Sequence, residues 1–167
     1  VSNDAAVNIA INPVNDPPVT TSSEEVFINE DATVGDAENP PAIFDLSELT
    51  EDADNDALTY TLIHTGTSVN CALEGTIVTY VPTPDYPFTS TGSSTDTCTF
   101  QANDGTADSE EISTLTITVN AINDNPVTVG KDDVIIGEET TYVIDLNTVT
   151  TDVDMNDTFT YTVEGVE

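Results

Sequence analysis

The sequence predicts an all-β chain of tandem Greek-key β-sandwich domains, about seven strands each, on three observations. Apolar residues recur at alternate positions through many short stretches, the period at which strand side chains return to one face, and no stretch carries a helical period. Asn, Asp, Gly and Pro separate these stretches at intervals of about 8 to 12 residues. Finally, Leu115 to Val127 occurs a second time, in degraded form, as Val7 to Val19; internal repetition of this kind means repeated structural units.

The spacing of the copies is informative. Asn12, Asn15, Asp16, Pro18, Val19 and Thr20 recur 108 positions later as Asn120, Asn123, Asp124, Pro126, Val127 and Thr128, and Val26, Ile28 and Glu30 recur as Val134, Ile136 and Glu138. The register then slips and recovers where Asp45-Leu46 matches Asp145-Leu146, and the acidic run from Asp52 matches that from Asp152. A period near a hundred residues is that of whole domains, since solenoid units run about 20 to 50 residues. The sequence therefore divides into the last strand and linker of a preceding repeat (1–16), a complete repeat (17–124) and the first part of a following one (125–167), as an excerpt from a longer array would.

In chain order, Val7 to Ile11 reads as an orphan last strand that stops at the Asn-Asp-Pro linker, because Pro cannot donate to a ladder. Glu25 to Asn29 is a strand ending on Glu30-Asp31, and Ala42 to Leu46 a short apolar one. Glu51 to Asp56 is too dense in Asp and Asn for regular structure. Leu58 to Ile63, Val69 to Leu73 and Thr76 to Val81 are strands, the last ended by Pro82. Pro84 to Thr95 is a Ser-, Thr-, Pro- and Gly-rich loop with Tyr86 and Phe88 folded inward as its plug. Asp96 to Ala102 is a strand ending in the Asn103-Asp104-Gly105 turn, and Ile112 to Asn120 closes the unit as its hairpin partner.

Composition limits the function. The chain carries 32 acidic residues and one basic one, Lys131, for a formal net charge of −31. That excludes nucleic acid and direct contact with an anionic membrane, both of which need Lys and Arg. At 37% hydrophobic content in strand periods, the chain is not a disordered acidic tail. The acidity reads either as adaptation to salty water or as clustered ligands for divalent cations. Catalysis is not expected. His64 is the only histidine and has no nucleophile paired with it in sequence, no arginine occurs, and no phosphate loop or zinc constellation appears. Acidic pairs such as Glu24-Glu25 and Glu110-Glu111 read as solvated faces.

Cys71 and Cys98 are the two cysteines, and a pair within one extracellular domain is most simply a disulfide, the alternative being two buried thiols. A single Asn-x-Ser/Thr acceptor occurs, at Asn156-Asp157-Thr158; it lies in an acidic corner, where a ligand or turn role is favoured over a glycan.

These motifs together resemble a cadherin-like repeat, an immunoglobulin-like β-sandwich strung in arrays in large bacterial surface proteins and adhesins. Ala102-Asn-Asp-Gly105, the strand Thr114 to Asn120, and Ile122-Asn-Asp-Asn-Pro126 are similar to the family's Ala-x-Asp-Gly turn, last strand and Asp-x-Asn-Asp-Asn-Pro linker. Asp52-Ala-Asp54 resembles its Asp-x-Asp motif, and Glu30 stands where the family has a calcium-binding Glu. The resemblance implies Ca²⁺ between successive domains: on Asn15, Asp16, Asp52, Asp54 and Asp104 at the first linker, and on Glu30, Asn123, Asp124, Asn125, Asp152 and Asp154 at the second. The chain departs from the family where Pro13 and Ala121 replace the first linker Asp and where no Leu-Asp-Arg-Glu motif is found. The other reading of these residues is that Asp and Asn simply cap turns.

The function expected is that of a non-enzymatic extracellular module at the cell surface, a spacer whose partners are neighbouring repeats of the same chain, stiffened by Ca²⁺ at the linkers. The alternative is a filament subunit, in which incomplete end domains complete one another by strand addition and build a head-to-tail fibre.

Overall fold

The computed structural model describes residues 7–64, 70–131 and 133–164. Among the described residues, nine strands form the first unit: β1 (Val19–Thr20), β2 (Glu25–Asn29), β3 (Ala42–Asp45), β4 (Thr50–Glu51), β5 (Thr59–His64), β6 (Cys71–Glu74), β7 (Ile77–Tyr80), β8 (Ser93–Asn103) and β9 (Ser113–Asn120). Seven of them make two sheets, ordered β2-β9-β8-β5 and β3-β7-β6. From β5 the chain crosses to the opposite sheet for the β6–β7 hairpin and returns as β8, the Greek-key route of an immunoglobulin-like sandwich. Every pairing in these sheets is antiparallel except one: β2 runs parallel to β9, with Glu25 opposite Thr116 and Asn29 opposite Asn120.

Alternation along the strands decides what is buried. On β8, Cys98, Phe100 and Ala102 point inward, as do Leu115, Ile117 and Val119 on β9; the second sheet contributes Ala42, Phe44, Val78 and Tyr80. Thr97, Thr99, Thr114 and Thr116, between them in sequence, are half-exposed on the outer face, where a β-branched side chain with a hydroxyl suits both the pleat and the water. The Tyr80 hydroxyl lies 3.1 Å from Asp96 Oδ2, so a fully buried ring keeps its polar end bonded.

A disulfide joins Cys71 on β6 to Cys98 on β8 and so ties the two sheets through the core, with a Cα–Cα distance of 6.6 Å. It closes a separation of 27 residues, which on chain entropy stabilises the fold by about 3.5 kcal/mol. Gly75, at φ 63°, makes the tight β6–β7 turn that brings Cys71 opposite Tyr80.

Several expectations are corrected. Val7 to Ile11 forms no strand, and Val7, Ile9 and Ile11 are more than 80% exposed; alternation needs a sheet edge to pair with before it becomes a strand. The Asp96 strand begins three residues earlier, at Ser93, because Ser93, Ser94 and Thr95 pair with Asn120, Val119 and Thr118 of β9 despite their polarity. Of the two loop aromatics only Tyr86 packs against the core, whereas Phe88 is 39% exposed. Val69 of the Val69 to Leu73 stretch lies outside the described residues.

The repeat seen in the sequence returns in space. β10 (Val127–Thr128) pairs with β11 (Thr150–Thr151) as β1 pairs with β4. Asp45 caps the short 3₁₀ turn Leu46–Leu49 through Ser47 N at 3.0 Å, and Asp145 caps Leu146–Thr148 through Asn147 N at the same distance. The two-residue strands were illegible beforehand because two residues carry no period.

Candidate cation site at the junction

Glu30 is placed by the end of β2. Its own N–H continues the parallel ladder to Asn120 O at 2.9 Å, its Oε1 accepts from Ile122 N, and Asn39 Nδ2 holds its carbonyl at 2.8 Å. The side chain is thereby turned under the exit of β9, where it is 2% exposed. The linker leaves β9 at that point, and Asp124 N donates to Asp154 Oδ2 at 2.8 Å. Asp154 is also buried, and its N–H is held by Asp152 Oδ1 at 3.0 Å. Carboxylate oxygens of Glu30, Asp124 and Asp154 consequently lie within 4.8 Å of one another, one from each of three segments.

The charges that act on Glu30 and Asp124 are all negative, and the chain's single lysine or arginine is Lys131. Glu30 Oε2 and Asp124 Oδ2 have no exposed area and no hydrogen-bond partner. An orphaned buried carboxylate oxygen is costly, and a site holding two is under-satisfied. Burial pushes Glu30 above the usual carboxylate range; the Ile122 N–H opposes this, and the charges of Asp31, Asp154 and Asp124 add to the rise. Asp124 is raised as well, first by burial and then by Asp31, Asp85, Asp154 and Asp152. Oxygen-only donors, like charges and unfilled lone pairs fit a hard divalent cation such as Ca²⁺.

The remaining residues of this linker stand further out. Asn123 and Asn125 are exposed, Asn123 Nδ2 donating to Asp124 O at 2.6 Å, and Asn156 sits in a turn at φ 74°. Asp31 and Asp85, which the sequence reading did not single out as ligands, approach Asp124, with carboxylate oxygens of the three within 4.8 Å. The signals that could have found them are an Asp directly after Glu30 and an Asp directly after Pro84 in the turn that Pro87 ends.

At the first linker the same backbone geometry recurs: Asp16 N donates to Asp54 Oδ2 at 2.8 Å, and Asp54 N to Asp52 Oδ1 at 3.0 Å. Here Asp52, Asp54 and Asp56 cluster, and Asp52 Oδ2 is the orphaned atom. Asp104 is instead satisfied by the protein. Its Oδ2 accepts from Asn15 Nδ2 at 2.9 Å and its Oδ1 from Thr106 N and Ala107 N at 2.6 and 2.7 Å. These bonds, the one from Asn15 foremost, hold its carboxyl below the usual range. In this arrangement Asp104 and Asn15 join the turn to the linker.

Among solved structures, the chain is similar to a protein described as an alpha-galactosidase of Bacteroides fragilis, at 15% identity over 66% of this chain and 19% of that one, with a TM-score of 0.40. It is also similar to two structures of the endo-fucoidan hydrolase MfFcnA4 of glycoside hydrolase family 107, at 20% and 21% identity, 71% and 17% coverage, and TM-scores of 0.46 and 0.44. The chain spans less than a fifth of each of these proteins, and likenesses at this level carry no argument about activity. No curated protein matches. No helix among the described residues is long and apolar enough to cross a membrane. The sequence profile described as "Bacterial Ig domain" matches residues 15–120, the segment that contains both sheets; such domains are typically non-enzymatic and borne on the surface. The chain belongs to the bacterial Ig domain family.

Proposed function

We propose that this chain is a structural spacer of an extracellular tandem array at the cell surface, stiffened by Ca²⁺ where one repeat hands over to the next. The observation that carries this reading is the convergence of Glu30, Asp124 and Asp154 with two orphaned buried oxygens. Glu30 belongs to the sandwich, Asp124 to the linker and Asp154 to the following segment, so one ion on all three would restrict the hinge between them. Without it, three like charges push the same three segments apart.

The test is thermal unfolding in Ca²⁺ and in chelator at matched ionic strength, recorded together with small-angle scattering. A ligand that binds only the folded state stabilises it, by about 2.7 kcal/mol at a hundredfold excess over Kd. The expected result is a rise in Tm with Ca²⁺ and a narrower distribution of particle lengths. Equal melting and equal lengths in both conditions would sink the reading.

A specific observation supports a filament as the second reading. Val7, Ile9 and Ile11 are exposed and alternate as a strand does, and by the offset of 108 they correspond to Leu115, Ile117 and Val119 of β9. The observed register of β2 on β9 pairs Val26 with Ile117 and Ile28 with Val119. In another copy it would pair Val134 with Ile9 and Ile136 with Ile11 by strand addition. Regular particles with a fixed axial repeat would favour the filament over the spacer.

A further inference from the structure

The outer face of the four-stranded sheet is composed unlike the rest of the chain. In the β8–β9 pairing Ser93 stands opposite Asn120, Thr95 opposite Thr118, Thr97 opposite Thr116 and Thr99 opposite Thr114. These residues point away from the core, because Cys98, Phe100, Leu115, Ile117 and Val119, which alternate with them, point into it. The same face continues onto β5, where the exposed Thr61 and Thr59 lie opposite Gln101 and Asn103. No outward position of β8 or β9 is charged, in a chain that carries 32 acidic residues. The outer face of the other sheet does carry charge, at Asp45 and Glu74. Nor does the repeat demand threonine here, since by the offset of 108 Thr116 and Thr118 correspond to Asn8 and Ala10.

The three threonine pairs are periodic. Alternate residues of an antiparallel pair share one kind of cross-strand geometry, so the pairs keep one separation, about 4.5 to 5.5 Å, and succeed one another at about 6.7 Å along the strands. Both repeats lie close to those of the oxygen rows on a prism face of ice. The two files belong to adjacent strands, so only one step of sheet twist, about 20 to 25°, separates them. The array is also rigid. Each threonine is β-branched and stiff at χ1, and the Thr95 and Thr118 hydroxyls lie 3.2 Å apart, with Thr118 donating to Glu25. Beneath the array, Cys98 fastens β8 to the opposite sheet between Thr97 and Thr99.

We propose that this face binds ice. An ice surface is uncharged and its waters have fixed positions, so its partner has to be neutral, flat and matched in period. Charged side chains hold hydration shells of their own and keep the lattice at a distance, which disqualifies the acidic surface elsewhere on the chain. Each threonine offers a methyl group for the hollows between rows of lattice water and a hydroxyl that bonds to the rows. Single contacts of this kind are weak, and one rigid sheet makes them act together. The inference is independent of the cation at the junction and gives the unit a ligand of its own.

The experiment grows ice slowly from a dilute solution of the full chain, compares the protein content of ice and liquid, and follows single ice crystals in the same solution by microscopy. The variants are Thr97→Tyr with Thr116→Tyr, which breaks the period, and Thr79→Tyr, on β7 in the other sheet, as the control. Tyrosine is neutral and a good strand former, so both variants keep the fold, as circular dichroism melts will verify. The expected result is that the parent and Thr79→Tyr enter the ice and give faceted crystals. The paired variant enters about tenfold less, because contacts that act together fail together. A parent that stays in the liquid overturns the proposal. So does a paired variant that enters the ice as the parent does, or a Thr79→Tyr that is lost from the ice as fully as the pair.

Discussion

Asp124 and Asp154 are joined by a 2.8 Å hydrogen bond from the backbone N–H of one to Oδ2 of the other, and Asp16 and Asp54 are joined by the same bond at the same distance one repeat earlier. The linker is therefore docked on the Asp-x-Asp corner through its backbone, which leaves the side chain of Asp124 free to face Glu30. The two junctions differ in what stands opposite, because Glu30 and the β7–β8 loop come from the unit upstream of the second linker.

Glu30→Gln is expected to have opposite effects with and without the ion. In chelator the variant is more stable than the parent by about 1 kcal/mol, since an uncompensated buried charge is removed. In saturating Ca²⁺ the parent gains about 2 to 3 kcal/mol and the variant much less. Denaturant unfolding of both proteins in both buffers checks this, and parallel shifts would contradict it.

The pH dependence in chelator follows from the raised carboxyls. Glu30 and Asp124 hold their protons to higher pH in the folded chain than in the unfolded one. Between the unfolded and folded values the native state binds more protons, so their contribution is full below about pH 4 and is lost as pH rises through the folded values. Asp104, held below the usual range, acts in the other direction, and its contribution disappears as pH falls. The expected outcome is that adding Ca²⁺ raises Tm more at pH 7 than at pH 4.5, as read by circular dichroism melts.

Much of this site was legible in the residues. The alternating runs gave β2, β3, β5, β7 and β9 within one or two residues, because each has one buried and one wet face. Glu30, Asp124 and Asp154 were reached only through the resemblance to a cadherin-like repeat, which has a Glu after the first strand, an Asp in the linker and an Asp-x-Asp corner beyond it, for the three lie far apart in the sequence. Asp31 and Asp85 were not, because their 54-residue separation is bridged only by the folded loop and no periodicity encodes that approach. Asp104 was named a ligand through the resemblance of its Asp-Gly turn; its oxygens are already engaged by Asn15, Thr106 and Ala107, a competition that the motif does not reveal.

Replacing both cysteines, Cys71→Ala with Cys98→Ala, is expected to lower stability by about 3.5 kcal/mol, which for a unit of this size lowers Tm by about 15 °C or more. Melts of the double variant and of the parent under reducing conditions should agree. A drop of only a degree or two would mean that the bridge constrains the unfolded chain far less than its 27-residue separation implies.

Two phenylalanines separate core from surface. Phe100 is fully buried between the sheets and Phe27 is 63% exposed on β2. Phe100→Ala should cost about 3 to 5 kcal/mol, and Phe27→Ala about 0.5 kcal/mol or less. Urea titrations of the two variants against the parent give both numbers in one series.

The parallel pairing of β2 with β9 has a mechanical consequence. A pull applied between the linker before β1 and the linker after β9 passes the two-residue β1 and then reaches β2 at one end of the unit and β9 at the other. Because they lie side by side and point the same way, tension slides one along the other. The five register pairs from Glu25–Thr116 to Asn29–Asn120 are then loaded together in shear instead of being peeled open one at a time. The rupture force of the unit is set at this short seam, while the hydrophobic interior carries little of the initial load.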